Sequence, residues 1–174
     1  MRASKKLTLS AMLVALGAVL MAIGGYVEVL DLTVCAVVSL LVAFSCVEIG
    51  SPYTWLIWLA TSLATFLIQP GKSLWLLYLL IFGIYPILKG FIERAARPLW
   101  YLFKLLFVNA VLALLTYVWE LIFGVALVPI ENKLIVIGVY AVMNIAFIAY
   151  DMFITVMMRI YFAKFRNRIK NLLK

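Results

Sequence analysis

The sequence predicts an all-α integral membrane protein, a bundle of about six transmembrane helices with the N-terminus and C-terminus both cytoplasmic. Three observations predict this fold: the composition, the lengths of the apolar runs and the placement of the positive charges. Of the 174 residues, 68% are hydrophobic and 13% are charged, whereas soluble domains are about 45–50% apolar and about 25% charged. A water-soluble fold of this length could not bury so much apolar surface, so we expect a single transmembrane domain over residues 1–174.

Six apolar runs follow one another along the chain, and a spanning helix needs roughly 20 apolar residues. The first run meets that length outright. The second, third and fourth are shorter, which leaves open a tilted span, a thinned bilayer or a re-entrant segment. The fifth run could begin near Leu99. The predicted spans are residues 7–27, 32–47, 53–68, 74–88, 105–123 and 134–158.

The lysines and arginines are distributed unevenly between the two sides of such a bundle. With six spans and the N-terminus inside, 13 of the 15 bases fall in inner segments, and only Lys72 and Lys133 fall in outer loops. Basic residues collect on the cytoplasmic side of membrane proteins. Removing one span would place the N-terminal or the C-terminal basic cluster outside, so the charges favour an even number of spans.

The last sixteen residues, 159–174, alternate bases with apolar residues. We expect a basic amphipathic cytoplasmic tail that continues the last helix, with its apolar residues on the bilayer and its bases near anionic headgroups. A tail of this kind serves either as a topology anchor or as a site for a specific partner.

Composition also argues against several kinds of chemistry. The chain has no histidine, which removes the commonest general base and transition-metal ligand. Cys35 and Cys46 are about 16 Å apart along one helix, too far to form a disulfide. Nucleophile-elbow and phosphate-loop motifs do not occur in the sequence. We therefore expect no enzyme activity, no cofactor, no metal site and no nucleic-acid partner.

The first span carries a stripe of four alanines on one face, spaced i, i+4, i+7 and i+11. Small residues let another helix approach closely in lipid. The stripe therefore packs either inside this protein's own bundle or against a separate membrane subunit. Its members are Ala11, Ala15, Ala18 and Ala22.

The last two spans each carry a polar stripe, and polar residues at membrane depth should face the bundle interior or a cavity. For an antiparallel pair, the spacing suggests that Asn109 lies level with Asp151, and Glu120 level with Asn144. We interpret Asn109 and Asp151 as a structural polar pair, and the outer part of the seam as a candidate ligand site. An alternative is that all of these residues are structural. The ligand-site candidates are Glu120, Asn144, Thr116 and Tyr140, together with the outer aromatic residues Trp75 and Tyr78.

The third span has a weaker pattern. Thr54, Trp58, Thr61 and Thr65 share one face, which Gln69 continues. Threonine hydroxyls can bond to carbonyls of their own helix, so the pattern alone does not indicate a site.

The stretch from Lys5 to Leu20, KKLTLSAMLVALGAVL, resembles the opening of the substrate-binding S components of energy-coupling factor vitamin transporters. The layout from Leu30 to Leu63 is similar to their second and third helices, so the resemblance covers about the first seventy residues. It implies a six-helix bundle that binds a vitamin-like small molecule. It also implies that Ala11 and Ala15 dock on a transmembrane coupling subunit, which works with ATPases.

Two functions therefore remain open. The first is the substrate-binding subunit of a bacterial micronutrient uptake transporter in the plasma membrane. The second is a non-transporting multi-spanning scaffold or assembly factor.

Overall fold

The computed structural model describes residues 3–94, 97–124 and 133–166, and over these residues it contains helices and no strands. The predicted all-α class is confirmed for this part of the chain. The elements in order are α1 (Ala3–Tyr26), a 3₁₀ turn (Glu28–Leu30), α2 (Asp31–Glu48), α3 (Tyr53–Ile68), α4 (Leu74–Leu77), a π-helical segment (Tyr78–Phe82), α5 (Tyr85–Ile92), α6 (Arg97–Phe123), α7 (Lys133–Ile160) and a second π-helical segment (Tyr161–Phe165).

Each predicted apolar run corresponds to one of these helices or helical spans. In the described residues, five stretches are long and apolar enough to cross a membrane, so this is a multi-pass membrane protein: Ala3–Tyr26, Asp31–Glu48, Leu74–Ile92, Leu99–Phe123 and Lys133–Phe165. The remaining predicted span is α3, which is a continuous helix of only 16 residues. It is therefore about 24 Å long, against about 30 Å for the hydrocarbon core.

The chain divides into two compact units. In the described residues, the first unit comprises 3–90 and 153–166, and the second comprises 91–94, 97–124 and 133–152. Helix α7 contributes its first twenty residues to the second unit and the remainder to the first.

The core of the first unit depends on close helix contacts made by glycines of α1. A Cβ at Gly17 would lie 3.0 Å from Cγ2 of Thr61 in α3, and a Cβ at Gly24 would lie 2.9 Å from Cβ of Val34 in α2. These short approaches bring α1 against both helices, as small residues do in membrane proteins. The most deeply buried apolar side chains of this unit include Met21, Cys35, Val38, Val42, Ile57 and Leu74.

The second unit is centred on the antiparallel hairpin of α6 and α7. The rings of Phe107 and Phe147 lie 6.1 Å apart across the hairpin, and Val108, Leu112 and Leu115 are buried beside this contact. Most other apolar side chains of the two helices are exposed. An outer surface of that kind is suited to hydrocarbon, which supports the assignment of both helices as membrane spans.

Candidate functional site

The inner face of α3 is a strip of buried polar side chains. Thr54, Thr61, Thr65 and Gln69 each expose 9% or less of their surface, as the weak pattern on this helix suggested. The Thr65 hydroxyl donates to the Thr61 carbonyl at 2.8 Å, a bond within the helix that satisfies the hydroxyl and needs no outside partner. Gln69, at the end of the helix, instead forms its side-chain hydrogen bond with another helix.

The Gln69 side chain packs against α1. Its Nε2 donates to the carbonyl of Ala22 at 3.1 Å, and its carboxamide lies against Gly25, where any Cβ would collide with it. The amide oxygen, Oε1, is buried and has no hydrogen-bond partner among the described residues. One half of the carboxamide is therefore anchored and the other half is an unused acceptor.

Tyr78 is fully buried and faces the same strip from the fourth span. Its hydroxyl lies close to Thr61 and Cys35, but no group in the described part of the chain, Thr61 included, has the distance and angles of a well-formed hydrogen bond to it. Nε1 of Trp75, just beyond the C-terminal end of α3, is a third buried polar atom without a hydrogen-bond partner among the described residues. Leaving such a group unsatisfied costs about 1–3 kcal/mol, and buried polar groups without partners are uncommon in native structures.

A π-helical segment determines where Tyr78 sits. The amide of Gly83 donates to the Tyr78 carbonyl at 2.7 Å, so the carbonyl of Leu79 loses the donor that an α-helix would give it. The indole Nε1 of Trp58 in α3 donates to that carbonyl at 3.1 Å. Gly83 admits the Trp58 ring because it has no side chain, and π-helical turns of this kind are frequent at functional sites.

Together these groups offer an acceptor (Gln69), a hydroxyl that can donate or accept (Tyr78) and no charge. Thr61 and Gln69 are eight residues apart, so the strip extends about 12 Å along α3. We define Gln69, Tyr78 and the intervening face of α3 as the α3 site. Its chemistry suits a small, neutral, polar ligand.

The predicted ligand residues are divided between the two units. Trp75 and Tyr78 belong to the first unit, where Tyr78 is part of the α3 site. Thr116, Glu120, Tyr140 and Asn144 belong to the second. Thr116 donates to the Ala113 carbonyl of its own helix at 2.9 Å, and Glu120 is exposed.

The predicted register of the α6–α7 hairpin is wrong by about two helical turns. Asn144 pairs with Asn109, through Asn109 Nδ2 to Asn144 Oδ1 at 3.2 Å and Asn144 Nδ2 to Asn109 Oδ1 at 3.1 Å. Glu120 stands eleven residues beyond Asn109 on α6, about 16 Å along the axis, so it is not level with Asn144. The helix ends decide this, since Phe123 and Lys133 flank the connecting residues.

The Asn109–Asn144 pair satisfies its own donors. Besides the two mutual bonds, Asn109 donates to the Leu105 carbonyl at 2.8 Å, and Asn144 donates to the Tyr140 carbonyl at 2.8 Å. All four amide hydrogens are therefore used inside the hairpin. This geometry gives Asn144 a structural role. The residue has no unused amide hydrogen to offer the ligand that the sequence analysis predicted for it.

Asp151 has a different partner from the one predicted. Its Oδ2 accepts from Nζ of Lys104 at 2.8 Å, and the same ammonium lies 3.2 Å from Oε1 of Glu93. Asn109 is not in this cluster, so the predicted Asn109–Asp151 pair is wrong. Lys104 therefore lies within α6 and forms ion pairs with residues outside that helix, all within the second unit.

The alanine stripe of α1 is split by packing. Ala18 is buried and Ala22 is half-buried, and both face the interior of the first unit. Ala11 and Ala15 are exposed, one turn apart, near the start of the helix. The stripe thus serves internal packing in its second half and leaves an open small-residue surface in its first half.

The sequence did not indicate the polar contacts at the end of the first unit where α1 begins. Glu48 at the end of α2 accepts from the hydroxyl of Tyr161 at 3.0 Å and lies 3.5 Å from Nε of Arg166. Nζ of Lys6 donates to the Ile49 carbonyl at 2.9 Å. The first residues of the predicted tail therefore pack on α2; residues 167–174 of that tail lie outside the described residues.

Lys89 is a second base that the charge pattern placed in an inner segment. It is buried within the fourth span, and its Nζ donates to Oγ1 of Thr155 at 2.9 Å. Without Lys89 and Lys104, eleven inner bases still stand against two outer ones, so the charge asymmetry persists.

No group of three or more potential metal ligands occurs among the described residues. Comparison with protein-family models, with curated proteins and with solved structures finds no match.

Proposed function

We propose that this protein is the substrate-binding subunit of a bacterial energy-coupling factor transporter for a vitamin-like micronutrient. The observation that carries the proposal is the α3 site, where a buried Gln69 oxygen and a fully buried Tyr78 hydroxyl have no partner in the described residues. A ligand that supplies a donor to Gln69 and a partner to Tyr78 would remove both desolvation costs. The site thus moves from the predicted hairpin seam to the first unit.

The proposal includes an orientation in the plasma membrane with both termini in the cytoplasm. The charge asymmetry supports it, because the basic N-terminal segment and the basic tail then lie inside. Gln69 stands at the opposite end of α3 from Tyr53, next to the α3–α4 turn that carries Lys72. In this orientation that turn faces outward, so the α3 site receives its ligand from the outer side.

The orientation predicts the labelling of single cysteines introduced into a background without the two native cysteines. A membrane-impermeant thiol reagent added to intact cells should label Lys72→Cys and should not label Lys5→Cys, Arg94→Cys or Lys170→Cys. All three inner positions should react after permeabilisation. Labelling of any of those three from outside would contradict the orientation. Lys170 lies outside the described residues, but its label still reports the side of the tail.

The ligand site predicts an unusual combination of effects for Tyr78→Phe. The purified variant should unfold at the same temperature as the wild type or higher, because the lost hydroxyl has no partner in the free protein. Its affinity for the ligand should fall about two- to tenfold, the effect of losing one neutral hydrogen bond. Thermal unfolding in mild detergent with a panel of water-soluble vitamins would first identify a stabilising compound. Titration of that compound would then give the ratio of the wild-type affinity to the Tyr78→Phe affinity.

Tyr26→Phe is the matched control, because that tyrosine is 81% exposed at the end of α1 and should leave both properties unchanged. If none of the vitamins stabilises the wild type, and Tyr78→Phe also lowers the unfolding temperature, the hydroxyl is structural and the α3 site is not a ligand site.

Docking on the coupling subunit is proposed for the open surface of Ala11 and Ala15. The double variant Ala11→Leu, Ala15→Leu should fold normally and lose co-purification with the coupling subunit and ATPases of its host, because leucines prevent close helix approach. Met12→Leu with Val19→Leu is the matched control on exposed positions of the same helix, and it should retain the partners. Normal recovery of the complex with the alanine variant would exclude this docking surface.

The second candidate function, a non-transporting membrane scaffold, is favoured by one observation. The α6–α7 hairpin uses its central asparagines to hold itself together and exposes a large apolar surface. A scaffold would present such a surface to other membrane proteins. Two results together would favour the scaffold: the protein binds no micronutrient, and substitutions in the hairpin, but not those at Ala11 and Ala15, abolish co-purification of partner proteins.

A further inference from the structure

The end of α7 and the π-helical segment after it form a basic surface, residues 159–166, which we define as the α7 extension. Arg159 and Lys164 are exposed, and neither makes an ion pair with any residue that the structure describes. No acidic residue follows Asp151 in the sequence. The two exposed bases therefore carry positive charge that the described part of the protein does not compensate.

Contacts with α2 hold the α7 extension in place. The Tyr161 hydroxyl donates to Oε1 of Glu48 at 3.0 Å, and Nε of Arg166 lies 3.5 Å from the same oxygen. The guanidinium of Arg166 also lies over the Phe162 ring, 4.9 Å from its centre. Glu48 is thus engaged by Tyr161 and Arg166, which fixes the backbone that carries the two exposed bases.

Apolar side chains are exposed between these bases. Ile160 is 39% exposed, Phe162 45% and Phe165 49%. A segment that mixes exposed rings with exposed bases is suited to the boundary between acyl chains and headgroups. There the rings contact hydrocarbon while the long basic side chains reach the phosphates.

The length of α7 places the α7 extension at that boundary. The helix has 28 residues and is about 42 Å long, against about 30 Å for the hydrocarbon core. It begins with Lys133, a base that favours the opposite headgroup region. The last turns of α7 and the residues after them therefore extend into the headgroups of the other leaflet.

We propose that the α7 extension binds the anionic phospholipids of that leaflet, with Arg159 and Lys164 on the headgroup phosphates and Phe162 and Phe165 beside the acyl chains. Uncompensated positive charge selects an anionic headgroup over a zwitterionic one. An acidic segment of a soluble protein is a less complete match, because its charges offer nothing to the exposed rings. The proposal does not depend on the proposed transport function.

The test compares dioleoyl phosphatidylglycerol with dioleoyl phosphatidylcholine, which has the same acyl chains and a zwitterionic headgroup. Each lipid is titrated into delipidated protein and measured by native mass spectrometry. The wild type should prefer phosphatidylglycerol. One base near an anionic surface strengthens binding about fivefold, so Arg159→Gln with Lys164→Gln should lower this preference about five- to 25-fold. Arg159→Lys with Lys164→Arg keeps both charges and should retain it.

Lys133→Gln is the matched control, because it removes one exposed base at the other end of α7, where Glu131 stands two residues away. It should change the preference less than either glutamine substitution in the α7 extension. The double glutamine variant should unfold at the wild-type temperature in neutral detergent, since neither base has an ion-pair partner in the described residues.

Equal binding of the two lipids by the wild type would overturn the proposal. A double glutamine variant that keeps the wild-type preference would overturn it as well. If that variant instead loses a co-purifying acidic protein, the surface is a protein site. A lost preference accompanied by a lower unfolding temperature would make the two bases structural. Each of these results leaves the Tyr78→Phe measurement unaffected.

Discussion

Replacement of Asp151 by alanine is expected to lower the free energy of unfolding by about 3 kcal/mol, one of the two largest effects of any single change described for this protein. The carboxylate lies 2.8 Å from Nζ of Lys104, and the two side chains are 18% and 13% exposed. Without it, the ammonium keeps only Glu93, which is 36% exposed and 3.2 Å away. Removing one partner of a buried ion pair leaves a charge in surroundings that solvate it poorly.

A double variant separates the loss of the pair from the loss of packing. Lys104→Met combined with Asp151→Leu removes both charges and keeps apolar volume, and such replacements are often neutral or stabilising. The double variant should therefore unfold close to the wild type, well above Asp151→Ala. If it is as unstable as the single variant, the ion pair does not account for the effect. Reversible unfolding in mixed detergent would give the three free energies.

The second large effect is expected for Gly83→Ala, at about 2 kcal/mol of destabilisation. The added Cβ would collide with the indole of Trp58 and would lie 2.9 Å from the carbonyl oxygen of Tyr78. Relief requires Trp58 to withdraw, which breaks its hydrogen bond to the Leu79 carbonyl. The π-helical segment should then lose its stabilising contact, and the position of Tyr78 should change with it.

Gly90→Ala is the control for this change, because a Cβ there meets nothing within 4 Å in the same helical span. It should be neutral or should stabilise the helix by about 0.5–1 kcal/mol. Unfolding can be followed with a thiol-reactive dye in a Cys46→Ser background, since Cys35 is fully buried until the first unit opens. Equal unfolding temperatures for the two variants would show that Trp58 does not need the space at Gly83.

The spans could be predicted from sequence because they follow from composition and length alone. The helices α1 and α6 begin several residues before their apolar runs, at Ala3 and Arg97, since a helix continues past the hydrocarbon into the headgroup region. The shortness of α3 was also predictable from its apolar run. What the apolar runs could not give is which faces of these helices meet, because lipid and protein interior are equally apolar.

The hairpin register illustrates that limit. Face matching alone allowed Asn109 to meet Asp151, and the true pairing with Asn144 differs by seven residues, two turns on nearly the same face. The helix ends at Phe123 and Lys133 would have selected the correct register. The sequence carries a signal near each end, Gly124 after α6 and the polar residues Glu131, Asn132 and Lys133 at the start of α7.

The α3 site was only partly predictable. Tyr78 was selected as an outer aromatic residue, and the polar face that ends in Gln69 was visible as a periodic pattern. The pattern could not show that Gln69 packs on Gly25 or that Tyr78 reaches Thr61, because both contacts join distant parts of the chain. Lys89 and Glu48 were missed for the same reason. Their partners, Thr155 and Tyr161, are 66 and 113 residues away.

The paired polar groups of the α6–α7 hairpin bear on how the chain enters the bilayer during synthesis. A single charge in a nascent transmembrane segment opposes insertion by up to about 3 kcal/mol. Lys104 and Asn109 are synthesised first, as part of α6. Their partners Asp151 and Asn144 are synthesised later, as part of α7. We expect the two helices to leave the translocation channel as a pair. A chain truncated before α7 would then present uncompensated polar groups to lipid, which would make it a substrate for membrane quality-control proteases.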